Sequence, residues 1–110
     1  NKQRLSHLLL AFEGKIPKAT LKSLHDLMLA DNSDFMQGLG NQVLVNYAQS
    51  WSVVYFMLRN KEMMKKFLNP YFNMLCEGKS KEEAYNETFK PHIRTIERLW
   101  KEYFQEKKYE

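Results

Sequence analysis

The stretch Tyr47-Ala48-Gln49-Ser50-Trp51-Ser52-Val53-Val54-Tyr55-Phe56-Met57-Leu58 decides the fold. Together with Leu44, the residues Tyr47, Ala48, Trp51, Val54, Tyr55 and Leu58 recur at i, i+3 and i+4. That is the spacing of one helix face, not the alternation of a strand. The pattern predicts a central helix over residues 41–59 with this stripe buried and Trp51 near the middle of the core. Val43, Val53 and Phe56 lie off the stripe, so the helix is expected to be covered on more than one side. Asn60 is its expected stop.

Working outward, Leu5, Leu8, Leu9 and Phe12 predict a first helix that ends at Gly14. Leu21, Leu24, Leu27 and Met28 predict a short second one, ended by the polar run Asp31-Asn32-Ser33-Asp34, whose side chains compete for backbone hydrogen bonds. Phe35 and Met36 are expected to anchor under the core before a bend at Gly38-Leu39-Gly40. On the far side, Met64, Phe67, Leu68, Tyr71, Phe72 and Leu75 carry a fourth helix from Lys61 to Cys76. Pro70 lacks an amide donor and clashes with the preceding turn, which predicts a kink or break at about Asn69.

Gly78 suits a helix end, and Ser80-Lys81-Glu82-Glu83 matches a capping box, so a fifth helix starts at Lys81 and carries Ala84, Tyr85 and Phe89. Pro91 fits the first turn of a sixth, whose buried face is Ile93, Ile96, Trp100, Tyr103 and Phe104. The tail from Gln105 is expected to fray. With no alternating pattern anywhere, the class is all-α: a compact bundle of five or six helices forming a single helical domain over residues 1–110.

Composition agrees with one globular core, since 110 residues with 44% hydrophobic and 14% aromatic content can bury most of their apolar side chains together. No run of about 18 apolar residues exists, so no membrane span is expected. The chain opens at Asn1 with neither an initiator methionine nor a signal-peptide pattern, which leads us to expect a fragment of a longer protein or a processed product. Net charge is +4, yet Lys61, Lys65 and Lys66 alternate with Glu62, and Lys79 and Lys81 with Glu77, Glu82 and Glu83. Interleaved charge of this kind argues against nucleic acid as a partner. The single cysteine, Cys76, excludes an intramolecular disulfide and a cysteine-based zinc site.

Candidate chemistry is sparse. His7, His25 and His92 are scattered, without the i, i+4 pairing that a zinc helix needs, so no metal ligand set and no cofactor is expected within this chain. Glu82-Glu83 and Asp31/Asp34 sit where helix starts and turns ordinarily recruit acids. Gly38-Leu39-Gly40 lacks the lysine and preceding strand of a phosphate loop.

The pattern from Tyr47 to Leu58, preceded by Leu21 to Met28 and Phe35 and followed by Glu77-Gly78, Ala84, Phe89, Ile96, Trp100 and Tyr103, resembles the helical part of gluzincin-type zinc peptidases. More narrowly, it is similar to a bacterial peptidase-like domain family of unknown function, and the resemblance covers about residues 8–104. It implies a hydrolase parent whose zinc is held upstream, by a histidine-glutamate-x-x-histidine helix and a later glutamate, none of which this chain contains. It implies as partners an upstream catalytic domain of the same protein and, for the parent, a peptide or protein substrate. In related aminopeptidases a tyrosine leading a comparable helix stabilises the tetrahedral intermediate, and Tyr47 matches it, although Gln49 and Ser50 replace the lysine and glycine of that motif. The expectation is a helical domain, inactive alone, that lines one wall of the active-site cleft. It carries a further consequence: part of the first and third helices should be an exposed apolar patch. The rival expectation is a stand-alone module that binds a partner helix in an aromatic-lined groove.

Overall fold

A computed structural model describes residues 1–36 and 40–110, without the side chains of Asn32 and Phe35. Among the described residues the chain is all-helical: α1 (Lys2–Phe12), α2 (Leu24–Leu29), α3 (Asn32–Met36), α4 (Gly40–Leu58), α5 (Lys61–Met63), α6 (Asn69–Cys76), α7 (Lys81–Glu87) and α8 (Ile93–Gln105). Segment Met64–Leu68 is a π-helical turn joining α5 to α6, and Lys90–His92 is a short 3-10 turn leading into α8. The elements pack into one compact bundle in which α1 lies along α4, α6 packs on α7, and α8 meets α1, α2 and α4. The anchor expected at Phe35 and the bend expected at Gly38-Leu39 lie outside the described residues. Met36 is exposed, not tucked under the core.

The helix starts follow capping chemistry. Ser23 Oγ accepts from the Asp26 amide at 3.1 Å and Ser80 Oγ from the Glu83 amide at 3.1 Å, each satisfying an orphan donor. Asn60 does more than stop α4, because its Oδ1 caps α5 by accepting from the amides of Glu62 and Met63. Gly14, with φ of +68°, and Gly78, with φ of +93°, take the left-handed conformation after α1 and α6.

Two expectations are corrected and one is specified. The second helix begins at Leu24, not Leu21, because residues 19–23 are non-helical, with Ser23 extended, and the backbones of Thr20 and Lys22 pair with side chains of α4. The interruption expected at about Asn69 takes the form of a π turn: regular α-helix gives way over Met64–Leu68, the Asn69 amide reaches back to the Met64 carbonyl, and α6 resumes with Pro70 in its first turn. The tail is tied down at Tyr109, whose ring lies 5.6 Å from that of Phe104.

The largest correction concerns the buried face of α4. Leu44, Tyr47, Val54 and Leu58 are 45%, 43%, 50% and 55% exposed, and Trp51 is only half-buried. The core side is the opposite one: Val45, Asn46, Ala48, Gln49, Ser52, Val53, Phe56 and Met57. Trp100 on α8, fully buried, occupies the position expected of Trp51. Its ring lies 5.3 Å from that of Phe12, and its indole N–H donates to Ser52 Oγ at 2.9 Å. On α8 itself the expected face is observed, with Ile96, Trp100 and Phe104 buried.

Polar groups on the inner face of α4 hold the extended segment. Gln42 Oε1 accepts from the Thr20 amide and its Nε2 donates to the Thr20 carbonyl, both at 2.9 Å. Gln49 repeats the arrangement one residue pair further on, accepting from the Lys22 amide at 3.0 Å and donating to its carbonyl at 2.6 Å. The side-chain amides therefore stand in for a neighbouring strand, pairing with the exposed backbone groups of Thr20 and the part-buried ones of Lys22. Glu97 Oε1 then accepts from the Leu24 amide at 2.8 Å, fixing the start of α2 against α8.

Candidate functional site

The outer face of α4 is the surface feature that packing leaves unexplained. Leu44, Tyr47, Trp51, Val54 and Leu58 follow one another at steps of three, four, three and four residues, the seam spacing of a coiled coil. Across all 19 residues of α4 there is no charged side chain. A helix presenting this much apolar surface for four turns ordinarily faces protein, and contiguous exposed apolar patches mark interaction surfaces. Leu10 of α1 and Met36 of α3 are further exposed large apolar residues. Of the first and third helices of the sequence, expected to share an exposed apolar patch, the third, α4, exposes Leu44, Tyr47, Val54 and Leu58, whereas α1 exposes one large apolar residue, Leu10.

Tyr47, the one candidate catalytic residue, sits within this face. Because α4 starts at Gly40, Tyr47 lies in the helix interior and its ring leaves the side of the helix instead of projecting past its end. Its hydroxyl lies 3.8 Å from the Met36 sulfur, and the Arg4 guanidinium lies 5.8 Å from its ring centroid. A second guanidinium, that of Arg59, lies 4.8 Å from the ring centroid of Tyr55. Among the described residues neither arginine forms an ion pair with a carboxylate; those that occur are short-range surface pairs such as Lys66–Glu62 and Arg98–Glu102.

The three histidines are not brought together. His25 Nδ1 shares a hydrogen bond of 2.7 Å with the Tyr85 hydroxyl, and the His92 ring lies 5.4 Å from that of Phe67. Among the described residues no three His, Cys, Asp or Glu side chains gather at one point. Burial raises the pKa of the Tyr85 phenol, with the charges of Asp26 and Glu97 adding to the effect.

Sequence reasoning missed a second feature, a groove of about 580 Å³ between the α5–α6 segment and the start of α8. Met63, Phe67, Pro70 and Ile96 line it, with His92 and Thr95 at one edge. Its acids are already engaged: Glu62 pairs with Lys66 at 3.2 Å, and Glu87 with Lys79 at 2.9 Å. Among the described residues no hydrogen bond joins His92 to a groove hydroxyl, and the signal in the sequence that bears on the groove is Pro70, which marks the interrupted helix along one side.

Comparison with protein-family models, with curated proteins and with solved structures finds no match, so the functional reading rests on these residues.

Proposed function

We propose that this chain is a helical docking domain of a gluzincin-like zinc metallopeptidase or a degenerate relative, seated by the outer face of α4 on the part of the protein that holds the zinc. The single observation that supports it is the uncharged, heptad-spaced stripe from Leu44 to Leu58, exposed at Leu44, Tyr47, Val54 and Leu58 with Trp51 half-buried between them. In this reading the chain closes one wall of the cleft and supplies no metal ligand. Its contribution to chemistry is the Tyr47 phenol, a hydrogen-bond donor to the oxygen on which negative charge develops. Peptide or protein is the substrate class of the parent, and zinc its cofactor.

The test is Tyr47→Phe in the full-length protein, measuring turnover, substrate affinity and thermal stability together. Phenylalanine keeps the ring beneath Arg4, so loss of one transition-state donor should lower turnover by about 10²–10³ while stability holds. Unchanged turnover in an active parent would return Tyr47 to packing. The second reading, a stand-alone module binding a partner helix, is favoured by the same stripe together with its aromatic content, Tyr47 and Trp51. A histidine-glutamate-x-x-histidine helix encoded upstream of Asn1 separates the two.

A further inference from the structure

The α4 face carries enough chemistry to specify what covers it. Two arginines lie against rings of α4: Arg4 of α1 stands over Tyr47 in the stripe, and Arg59, just past the end of α4, stands over Tyr55, a half-buried ring flanking the stripe that packs against Trp51 and Tyr103. Each lies within cation–π range of a tyrosine ring, which restricts a long side chain before any partner arrives. Among the described residues neither has an acidic partner. Tyrosine, tryptophan and arginine are the residues in which binding hot spots are enriched, and pre-ordered arginines lose less entropy on binding than free ones.

The geometry points to an acidic amphipathic helix as the occupant, and we propose that it lies along α4. This proposal rests on the docking reading above and adds the chemistry of the partner. Three facts set its terms. The 3-4-3-4 step of Leu44, Tyr47, Trp51, Val54 and Leu58 fits a helix with its own apolar heptad seam. The absence of charge along α4 means that charged positions facing the stripe would be desolvated without compensation, so the partner's charges must fall at its rims. Tyr47 and Tyr55 are eight residues apart, about 12 Å along the helix, so carboxylates seven or eight residues apart on the partner reach both arginines.

The test uses three-heptad synthetic helices with leucine at both seam positions, carrying glutamates seven residues apart at the rim, or lysines in their place, and fluorescence anisotropy with the whole chain. The glutamate peptide should bind at least about tenfold more tightly than the lysine peptide, with a preference that shrinks as salt rises. The double reversal Arg4→Glu, Arg59→Glu should invert the preference, and Val54→Asp should abolish binding of both peptides. Circular dichroism and urea titration of each variant identify any that has unfolded, and the milder pair Arg4→Gln, Arg59→Gln then replaces the reversal, with the preference expected to disappear. Equal binding of both peptides, or a preference indifferent to the arginines, overturns the proposal. So does a dimer in analytical ultracentrifugation that Val54→Asp dissolves, because a second copy would then be the occupant. Loss of the charge preference alongside an intact Tyr47→Phe effect in the full-length protein removes this inference alone.

Discussion

The indole N–H of Trp100 on α8 donates to Ser52 Oγ on α4 at 2.9 Å, with both residues fully buried. Ser52 passes the bond on, its hydroxyl donating to the Gln49 carbonyl at 2.7 Å. The bundle is therefore centred where a polar α4 residue meets the one fully buried tryptophan.

From this pairing, Trp100→Ala should cost about 3–5 kcal/mol, comparable with the whole stability of a small domain, and leave the chain largely unfolded. Trp51→Ala should cost clearly less, because its ring is half-buried against Tyr55 at 5.3 Å and Phe104 at 6.3 Å. Ser52→Ala, which strands the indole donor, should cost about 1–3 kcal/mol. Urea denaturation of the three variants measures the order, and a greater loss for Trp51→Ala than for Trp100→Ala would contradict the assignment.

Gln49→Ala should loosen the extended segment more than the helices. It removes both bonds to the Lys22 backbone, leaving part-buried groups unpaired at a cost of about 1–3 kcal/mol. Hydrogen exchange should show the Lys22 amide losing protection selectively. Protection unchanged at Lys22 would mean that the glutamine does not hold the segment.

Stability should fall on the alkaline side. Burial raises the phenol pKa of Tyr71, Tyr85 and Tyr103 above the ordinary tyrosine value near 10. With the folded pKa the higher one, the contribution is complete below about pH 10 and is lost as pH rises through the folded value, because the unfolded chain ionises first. Urea midpoints between about pH 8 and 11 should therefore decline, and Tyr85→Phe should decline less steeply than the parent. Parallel slopes would remove Tyr85 from this account.

How much was legible in the sequence differs between α8 and α4. On α8 the apolar residues fall on one side and charged residues on the other, so Ile96, Trp100 and Phe104 declare the core directly. On α4 apolar residues surround the helix, and the buried side carries Asn46, Gln49 and Ser52, which look like solvent positions until their partners are known. Those partners, the backbone of residues 20 and 22 and the indole of Trp100, are long-range contacts that periodicity cannot register. Periodicity therefore points the more hydrophobic stripe inward, whereas Leu44, Tyr47, Val54 and Leu58 of that stripe are exposed. The same reversal places Tyr47, expected at the helix head, on the exposed outer face of α4.

Adjacent residues Val53 and Val54 separate the two faces in one comparison. Val53 is 6% exposed on the core side and Val54 is 50% exposed on the outer side, so one substitution, valine to aspartate, can be made on each. In urea denaturation of the chain alone, Val54→Asp should stay within about 0.5 kcal/mol of the parent. Val53→Asp buries an unpaired carboxylate and should be among the exceptional losses above about 4 kcal/mol. A stable Val53→Asp beside an unfolded Val54→Asp would put the stripe of Leu44, Tyr47, Val54 and Leu58 back in the core and leave no free face on α4 for a partner.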